Sequence, residues 1–351
     1  MTGFKILVTG ATGYIGGTIL SDLVNSQNNS LRKSSISGLV RGEAKAKVLS
    51  EKGVNVELFS DLDASDEIEK IAGGYDMVIH TASGYHEGSA KALILGLAER
   101  KKSTGKDVYY IHTSGTSNLG DQPITGKYTE TRVFSDKEDI YSYEKMRNEK
   151  QPYGQRQTDL TVIGTGLKVG VKTYIIMSPL IYGIGTGHFH QQSIQVPAMI
   201  QAALKTQQAE VVGSGKASWD HVHVGDLANL YEIVVQKLLA GEDLPNGEKG
   251  IYFSANGHHT WLELSQGLAD ALFTLGISKT EEVKSINLEE AAERWAGGDT
   301  LLAELGFASN SRTESELSRS LGWKPRKSDR DFKNHFQTEV ENMMEEREKN
   351  K

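Results

Sequence analysis

Gly10, Gly13 and Gly16 recur at every third position in KILVTGATGYIGG (residues 5–17), between an apolar run and a stretch with helical apolar spacing. Three demands place a glycine at each position. The chain must turn sharply after a strand, its backbone must come close to a phosphate, and the next helix must pack tightly on that strand. The N–H groups that open such a helix lack intrahelical partners and so form an anion site. A tight turn without a ligand would also use glycine, but a preceding strand and a following periodic helix are the context in which this spacing signals a dinucleotide. Gly10, Thr12, Gly13, Tyr14, Ile15 and Gly16 are therefore the expected cofactor-binding set. The end of the second strand selects the dinucleotide. An acid there holds the ribose hydroxyls of NAD, whereas this chain reads SGLVRGEAK and places Arg41 at the strand end. A guanidinium suits the 2′-phosphate of NADP. NADP(H) is favoured, and the nearby Glu43 leaves NAD(H) open.

Other residue pairs carry less chemistry. His188 with His190, and His221 with His223, would each share one face of a strand. No acid cluster of suitable spacing accompanies either pair, so no metal site is expected. His188, Phe189 and His190 read instead as the border of a substrate pocket, and His258 and His259 as loop residues. Tyr182, Trp219 and Trp261 would either line a pocket for an apolar or aromatic substrate or pack the second half of the chain. No Gly-x-Ser-x-Gly elbow or Walker loop is present, which removes hydrolase and nucleoside-triphosphatase readings. The absence of cysteine removes disulfides, thiolate metal sites and thiol nucleophiles.

These residues need elements to position them. Apolar runs at 5–8, 36–40, 54–59, 77–80, 108–112 and 172–177 read as strands, and 14–24, 43–51, 64–71, 89–101 and 158–167 as helices. Strands that are apolar on both faces and alternate with helices predict an α/β fold, a Rossmann-type doubly wound parallel sheet. Its ligands collect at the carboxyl ends of the strands. Beyond Tyr182 the alternation loosens. The expected organisation is a dinucleotide-binding domain over 1–182, a smaller α+β substrate lobe over 183–340 with segments that could return to the sheet, and a charged tail over 341–351. The 351 residues suffice for both units, and 38% hydrophobic with 24% charged residues describes a globular protein. The formal charge of −7 and the lack of a basic stripe point to a small-molecule partner and away from nucleic acid. No run approaches the roughly 20 apolar residues that span a bilayer, and the first residues do not form a signal peptide. The expectation is a cytoplasmic protein without a membrane partner.

TGATGYIG, LFSDLD, DMVIHTAS, YIHTSGT, SPLIYGIGTG, HVHVGDLA and SLGWKP occur in this order. Together they resemble the extended short-chain dehydrogenase/reductase family, in an atypical epimerase/dehydratase-like branch close to the NmrA-like proteins, from about residue 5 to residue 325. The resemblance implies that Asp61 and Leu62 border the adenine, that Thr81, Ala82 and Ser83 line the cofactor, and that Pro179 touches it. It implies catalysis by a Ser or Thr hydroxyl, a tyrosine that passes a proton, and a lysine that lowers the tyrosine pKa. Ser114 is the hydroxyl candidate, with Thr113 and Thr116 as stand-ins and Thr116 also beside the substrate; Gly115 stands where many relatives carry a hydroxyl. Tyr141 and Lys145 have the Tyr-x-x-x-Lys spacing that places both groups on one helix face. Pro152 should end that helix, however, and the segment better placed before the next strand is PYGQRQTDLTVI. There Tyr153 is followed four residues later by Gln157, with Arg156 as the nearest cation. The implied function is an NADP(H)-dependent oxidoreductase acting on a carbonyl or secondary alcohol of a small molecule. The alternatives are a redox-sensing regulator that binds NADP(H) without turnover, and a redox-neutral isomerase or cyclase. Relatives often pair through helices beside the active site, so a homodimer is compatible with the resemblance.

Overall fold

The structure is a computed structural model and describes residues 3–349. Seven strands, β1 (Lys5–Thr9), β2 (Ser35–Val40), β3 (Asn55–Leu58), β4 (Met77–His80), β5 (Tyr109–Gly115), β6 (Lys172–Ser178) and β7 (Ile251–Phe253), build one sheet. All pairings are parallel, in the order β7-β6-β5-β4-β1-β2-β3. The chain steps outward from β1 to β3, then returns to β4 and steps outward the other way. The order therefore reverses between β1 and β4, and a crevice opens at their carboxyl ends. This is the expected Rossmann-type arrangement. Six strands lie where the apolar runs place them; the three-residue β7 comes from the second half of the chain and joins β6.

Side-chain alternation distributes the core over both faces. Ile6 and Val8 of β1 enter the layer under helices α1 (Tyr14–Asn25) and Val224–Leu239, while Leu7 enters the layer under Glu87–Thr104 and Gly154–Val169. All three are fully buried, as a sheet covered on both sides requires.

The second half adds a smaller sheet. Leu180–Tyr182 runs parallel to Ser218–His223, which pairs antiparallel with His258–Thr260. His258 and His259 thus belong to a strand rather than a loop, and His259 is buried. On this sheet Trp219 and Trp261 pack with ring centroids 5.3 Å apart, in a core that also holds Tyr182, Phe332 and Phe336. Tyr182 and Trp219, expected beside the substrate, are each only 2% exposed and are packing residues. The HVHVGDLA and SLGWKP motifs lock together here. The Asp226 carboxylate accepts the backbone N–H groups of Arg326 and Lys327, both at 2.9 Å, and the Trp323 indole donates to the Asp226 carbonyl at 2.8 Å.

Residues expected as a separate charged tail continue a docked helix, Asp329–Lys349. Its Phe332, Phe336, Val340 and Met343 recur at helical spacing and are all buried, so the acidic sequence after 340 still carries an apolar stripe. The Phe336 ring lies against Gly267, where a Cβ would come within 2.3 Å of the ring. Asn350 and Lys351 lie outside the described residues. Phe336→Ala is expected to lower the unfolding free energy by ~3–5 kcal/mol in urea titrations, and a loss below ~1 kcal/mol would show that this helix is not docked as described.

Candidate active site

The turn after β1 is built by exclusion of side chains. Gly10 has φ +66°, and a Cβ there would lie 2.8 Å from the Thr81 carbonyl carbon and 2.9 Å from the Ala82 Cα. A Cβ on Gly16 would lie 2.4 Å from the Gly10 oxygen and 2.2 Å from the Thr81 hydroxyl. Thr81 braces the ends of β1 and β4: its hydroxyl donates to the Thr9 carbonyl at 2.7 Å, and its N–H to the Thr9 hydroxyl at 3.2 Å. The Thr9 hydroxyl in turn meets His80 Nδ1 at 2.7 Å. Burial holds His80 neutral, with its pKa lowered to about 4. Helix α1 starts at Gly13 with no side-chain cap and no acid in its first turn, so no side chain of that turn occupies its leading N–H groups. The residues present fit a bound pyrophosphate.

Tyr14 has a different task from the glycines. Its hydroxyl donates to the Gly183 carbonyl at 2.6 Å, and burial pushes its pKa well up. Gly17 and Gly187 meet face to face, and a Cβ on Gly187 would lie 2.9 Å from the Gly17 Cα. The glycine loop after Tyr182 therefore rests on α1. It carries His188 into solvent, while Phe189 packs against the core layer under α1. Thr12, Ile15, Leu62, Ala82 and Ser83 are half-buried, and Pro179 is buried beside β6. Arg41 is exposed just after β2 and, among the described residues, makes no ion pair. Asp61 turns its carboxylate inward on its own loop, accepting the N–H groups of Asp63 at 2.8 Å and Ala64 at 3.1 Å.

The hydroxyl and tyrosine candidates sort by strand face and helix break. In β5, Ser114 shares the face of Tyr110 and His112, which points into the helices rather than the crevice. The Ser114 hydroxyl is buried and donates to Asp159 Oδ2 at 2.5 Å. Thr113, on the opposite face, bonds the Tyr231 hydroxyl at 2.5 Å. Thr116, a candidate beside the substrate, is 1% exposed and enclosed. Tyr141 and Lys145 lie on helix Ile140–Lys150, whose buried face is Ile140, Tyr143, Glu144 and Arg147. Tyr141 packs in the core layer beneath that helix, and Lys145 is exposed. Neither reaches the other candidates. The helix ends at Lys150, Gln151 turns extended, and Pro152 precedes a new helix whose N-cap is Tyr153.

Tyr153 is the tyrosine that the fold brings to the end of β5. Its hydroxyl donates to Ser117 Oγ at 3.1 Å and meets the Tyr85 hydroxyl at 2.7 Å. The Gln155 amide sits 2.8 Å from Ser117 Oγ and fills the space a side chain at Gly115 would need, 3.0 Å from such a Cβ. Ser117 and Tyr85 thus belong to the site although the sequence reading did not select them. The glycine at 115 was the available sign that the hydroxyl had moved.

Beneath this surface lies a buried polar layer. Asn118 Nδ2 donates to Asp159 Oδ2 at 2.8 Å and to Glu144 Oε1 at 2.7 Å. Burial drives both carboxyls upward; the Asp159 charge raises Glu144 further, while hydrogen bonds with Ser114, Glu144 and Asn118 pull Asp159 partly back down. Arg156 is buried beside them, donating to the carbonyls of Asn118 at 2.9 Å and Gln151 at 2.8 Å. Burial lowers its pKa to about 10, so it stays charged at neutral pH. No group of three or more His, Asp or Glu side chains is placed to hold a metal ion among the described residues. Nor is any described helix long and apolar enough to cross a membrane.

Comparison with known proteins gives a consistent placement. The profile of the NAD dependent epimerase/dehydratase family matches residues 6–246. An oxidase (ucsJ) of Acremonium sp is 28% identical over 334 residues, covering 92% of each chain. An uncharacterized protein of Schizosaccharomyces pombe is 25% identical over 322 residues, covering 92% of this chain and 95% of the other. The crystal structure of DesIV, a dTDP-glucose 4,6-dehydratase from Streptomyces venezuelae with NAD and TYD bound, superposes with a TM-score of 0.66 at 16% identity, covering 98% of both chains.

The buried acids set a pH dependence. Asp159 is pushed up to about 7 by burial, so the folded protein holds its proton more tightly than the unfolded chain. Its stabilising contribution is complete below about pH 4 and is lost as the pH rises through the folded value, with a slope of up to ~1.4 kcal/mol per pH unit per proton. Glu144→Gln preserves an acceptor for Asn118 and removes one of the two titrating groups. Urea titrations from pH 5 to 8 should show the wild type losing stability and the variant losing about half as much or less. Equal slopes would contradict Glu144 as one of the two titrating groups.

Proposed function

Because the chain belongs to the NAD dependent epimerase/dehydratase family, an enzyme family with a dinucleotide-binding Rossmann fold, we propose that it is an NADP(H)-dependent oxidoreductase acting on a carbonyl or secondary alcohol of a small molecule. One observation carries this reading: the Tyr153 hydroxyl, hydrogen-bonded to Ser117, stands at the carboxyl end of β5 beside the crevice at the glycine turn. The amides around Gly10, Gly13 and Gly16 would hold the pyrophosphate. Asp61 and Leu62 would border the adenine, and Thr81, Ala82 and Ser83 would line the nicotinamide half. Arg41, exposed and without an ion pair among the described residues, would take the 2′-phosphate. The bound dinucleotide would supply or accept the hydride. Tyr153 would transfer its hydroxyl proton to the carbonyl oxygen, and Ser117 would orient that oxygen. The name oxidase, given to the Acremonium relative, supports redox chemistry over a redox-neutral isomerisation. The expected setting is cytoplasmic.

Gln157, in the position of the lysine that the family resemblance implies, favours a second reading in which the dinucleotide is held without turnover. Fluorescence titration with NADPH and NADH tests the cofactor, and binding of neither would remove both readings. Arg41→Ala should weaken NADPH by about 10- to 100-fold, as loss of a charge-assisted contact does, and leave NADH nearly unchanged. Oxidation of bound NADPH against a carbonyl panel then separates enzyme from sensor. In the enzyme, Tyr153→Phe should cut turnover by at least about 100-fold. A variant that keeps wild-type turnover would exclude Tyr153 as the donor.

A further inference from the structure

Tyr153 has no ammonium group one turn beyond it. Gln157 is exposed there, and its amide oxygen accepts from Asn148 Nδ2 at 2.9 Å, while Asn148 Oδ1 holds the Tyr153 N–H at 3.0 Å. Other groups occupy the neighbourhood of the phenol. The Tyr85 hydroxyl lies 2.7 Å from that of Tyr153, and the two rings meet edge to face with centroids 5.8 Å apart. The Arg156 guanidinium carbon is 5.3 Å from the Tyr153 ring centroid, its nitrogens donate to backbone carbonyls, and Glu144 is the carboxylate whose charge acts on it. Exposure divides the two phenols sharply: Tyr85 is 50% exposed and Tyr153 is 7% exposed. The Tyr85 side chain therefore reaches the surface while Tyr153 is enclosed, and the paired hydroxyls lie part-buried between them.

We propose that Tyr85 and Arg156 together replace the missing lysine, Tyr85 hydrogen-bonding the Tyr153 phenolate and relaying solvent protons to it, and Arg156 supplying the positive charge from behind the ring. For turnover the inference rests on the proposed reductase reading. When Tyr153 gives its proton to the substrate oxygen, an alcohol O–H forms and a phenolate remains. Tyr85 passes its hydroxyl proton to that phenolate and takes one from water. No electrons pass through either ring.

The charged groups facing the pair are few. Arg156 lies on the same helix as Tyr153, Asp159 lies a turn further along, and Asp299 approaches from the start of helix Thr300–Phe307. Glu144 and Arg147, on the preceding helix, lie behind Arg156. Burial pushes both phenols up, while the hydrogen bonds with Ser117 and Tyr85 and the charge of Arg156 pull Tyr153 back down. Tyr85 is a positioning residue that acts through Tyr153.

The test uses the full chain with Tyr85→Phe, Gln157→Lys and their combination, and two readouts. The first is tyrosinate absorbance of the protein alone, with Tyr153→Phe identifying the Tyr153 step. Tyr85→Phe should move that step upward by about one pH unit, the equivalent of one hydrogen bond to a charged group. The second is kcat for NADPH-dependent carbonyl reduction. Tyr85→Phe should lower it about 10- to 100-fold with KM for NADPH unchanged, and adding Gln157→Lys should restore most of the loss. Gln157→Lys alone should change kcat less than about threefold, since the charge is already supplied. An unmoved titration step in Tyr85→Phe would overturn the proposal, and so would a tenfold gain from Gln157→Lys alone. If the wild type reduces no carbonyl, the reductase reading fails and the titration alone decides the relay.

Discussion

The distance between helix α1 and the end of β1 governs the rest of the molecule. Gly16 lies so close to Gly10 and Thr81 that any side chain at 16 would overlap both. That approach brings the uncapped start of the helix to the point where the sheet order reverses, and so makes an anion site at the mouth of the crevice. Thr81 ties the ends of β1 and β4 on the other side of the same turn. The glycine loop after Tyr182 then rests on the same helix through the Gly17–Gly187 contact. One close packing constraint thus positions the dinucleotide turn, the loop that lines it and the strand end opposite.

The catalytic side depends on a second constraint, a buried polar layer beneath β5. Glu144, Asp159, Asn118 and Ser114 are hydrogen-bonded to one another, with Glu144 Oε2 and Asp159 Oδ1 left without hydrogen-bond partners, and Arg156 is held by two backbone carbonyls. A buried polar network with fixed partners specifies one arrangement, because each broken bond leaves a group unsolvated. Here it fixes the start of the helix that carries Tyr153 and the turn that carries Ser117. Charge and phenol therefore come from one helix start, and the hydroxyl from the turn after β5.

Much of this was legible in the residues. Doubly apolar runs located six strands, because a sheet covered on both faces leaves that pattern. Pro152 marked the break that opens a new helix at Tyr153, separate from the helix that carries Tyr141. Other features left weaker marks. Ser114 looked suitable by motif, but strand alternation with His112 sends it to the helix side. Trp219 and Tyr182 carry no sign in their identity that would separate pocket from core. The stripe Phe332, Phe336, Val340 and Met343 was present in the sequence, yet the density of charges around it masked its period. Tyr85 could not be found by spacing from Tyr153, since a contact across 68 positions exists only once the sheet is assembled.

The most direct measurement is a crystal structure with NADP+ bound. The pyrophosphate should lie on the turn Gly10–Gly16, the 2′-phosphate at Arg41, and the nicotinamide C4 against the Tyr153 hydroxyl. A nicotinamide ring placed beside Tyr141, or directed away from Tyr153 and Ser117, would contradict the assignment.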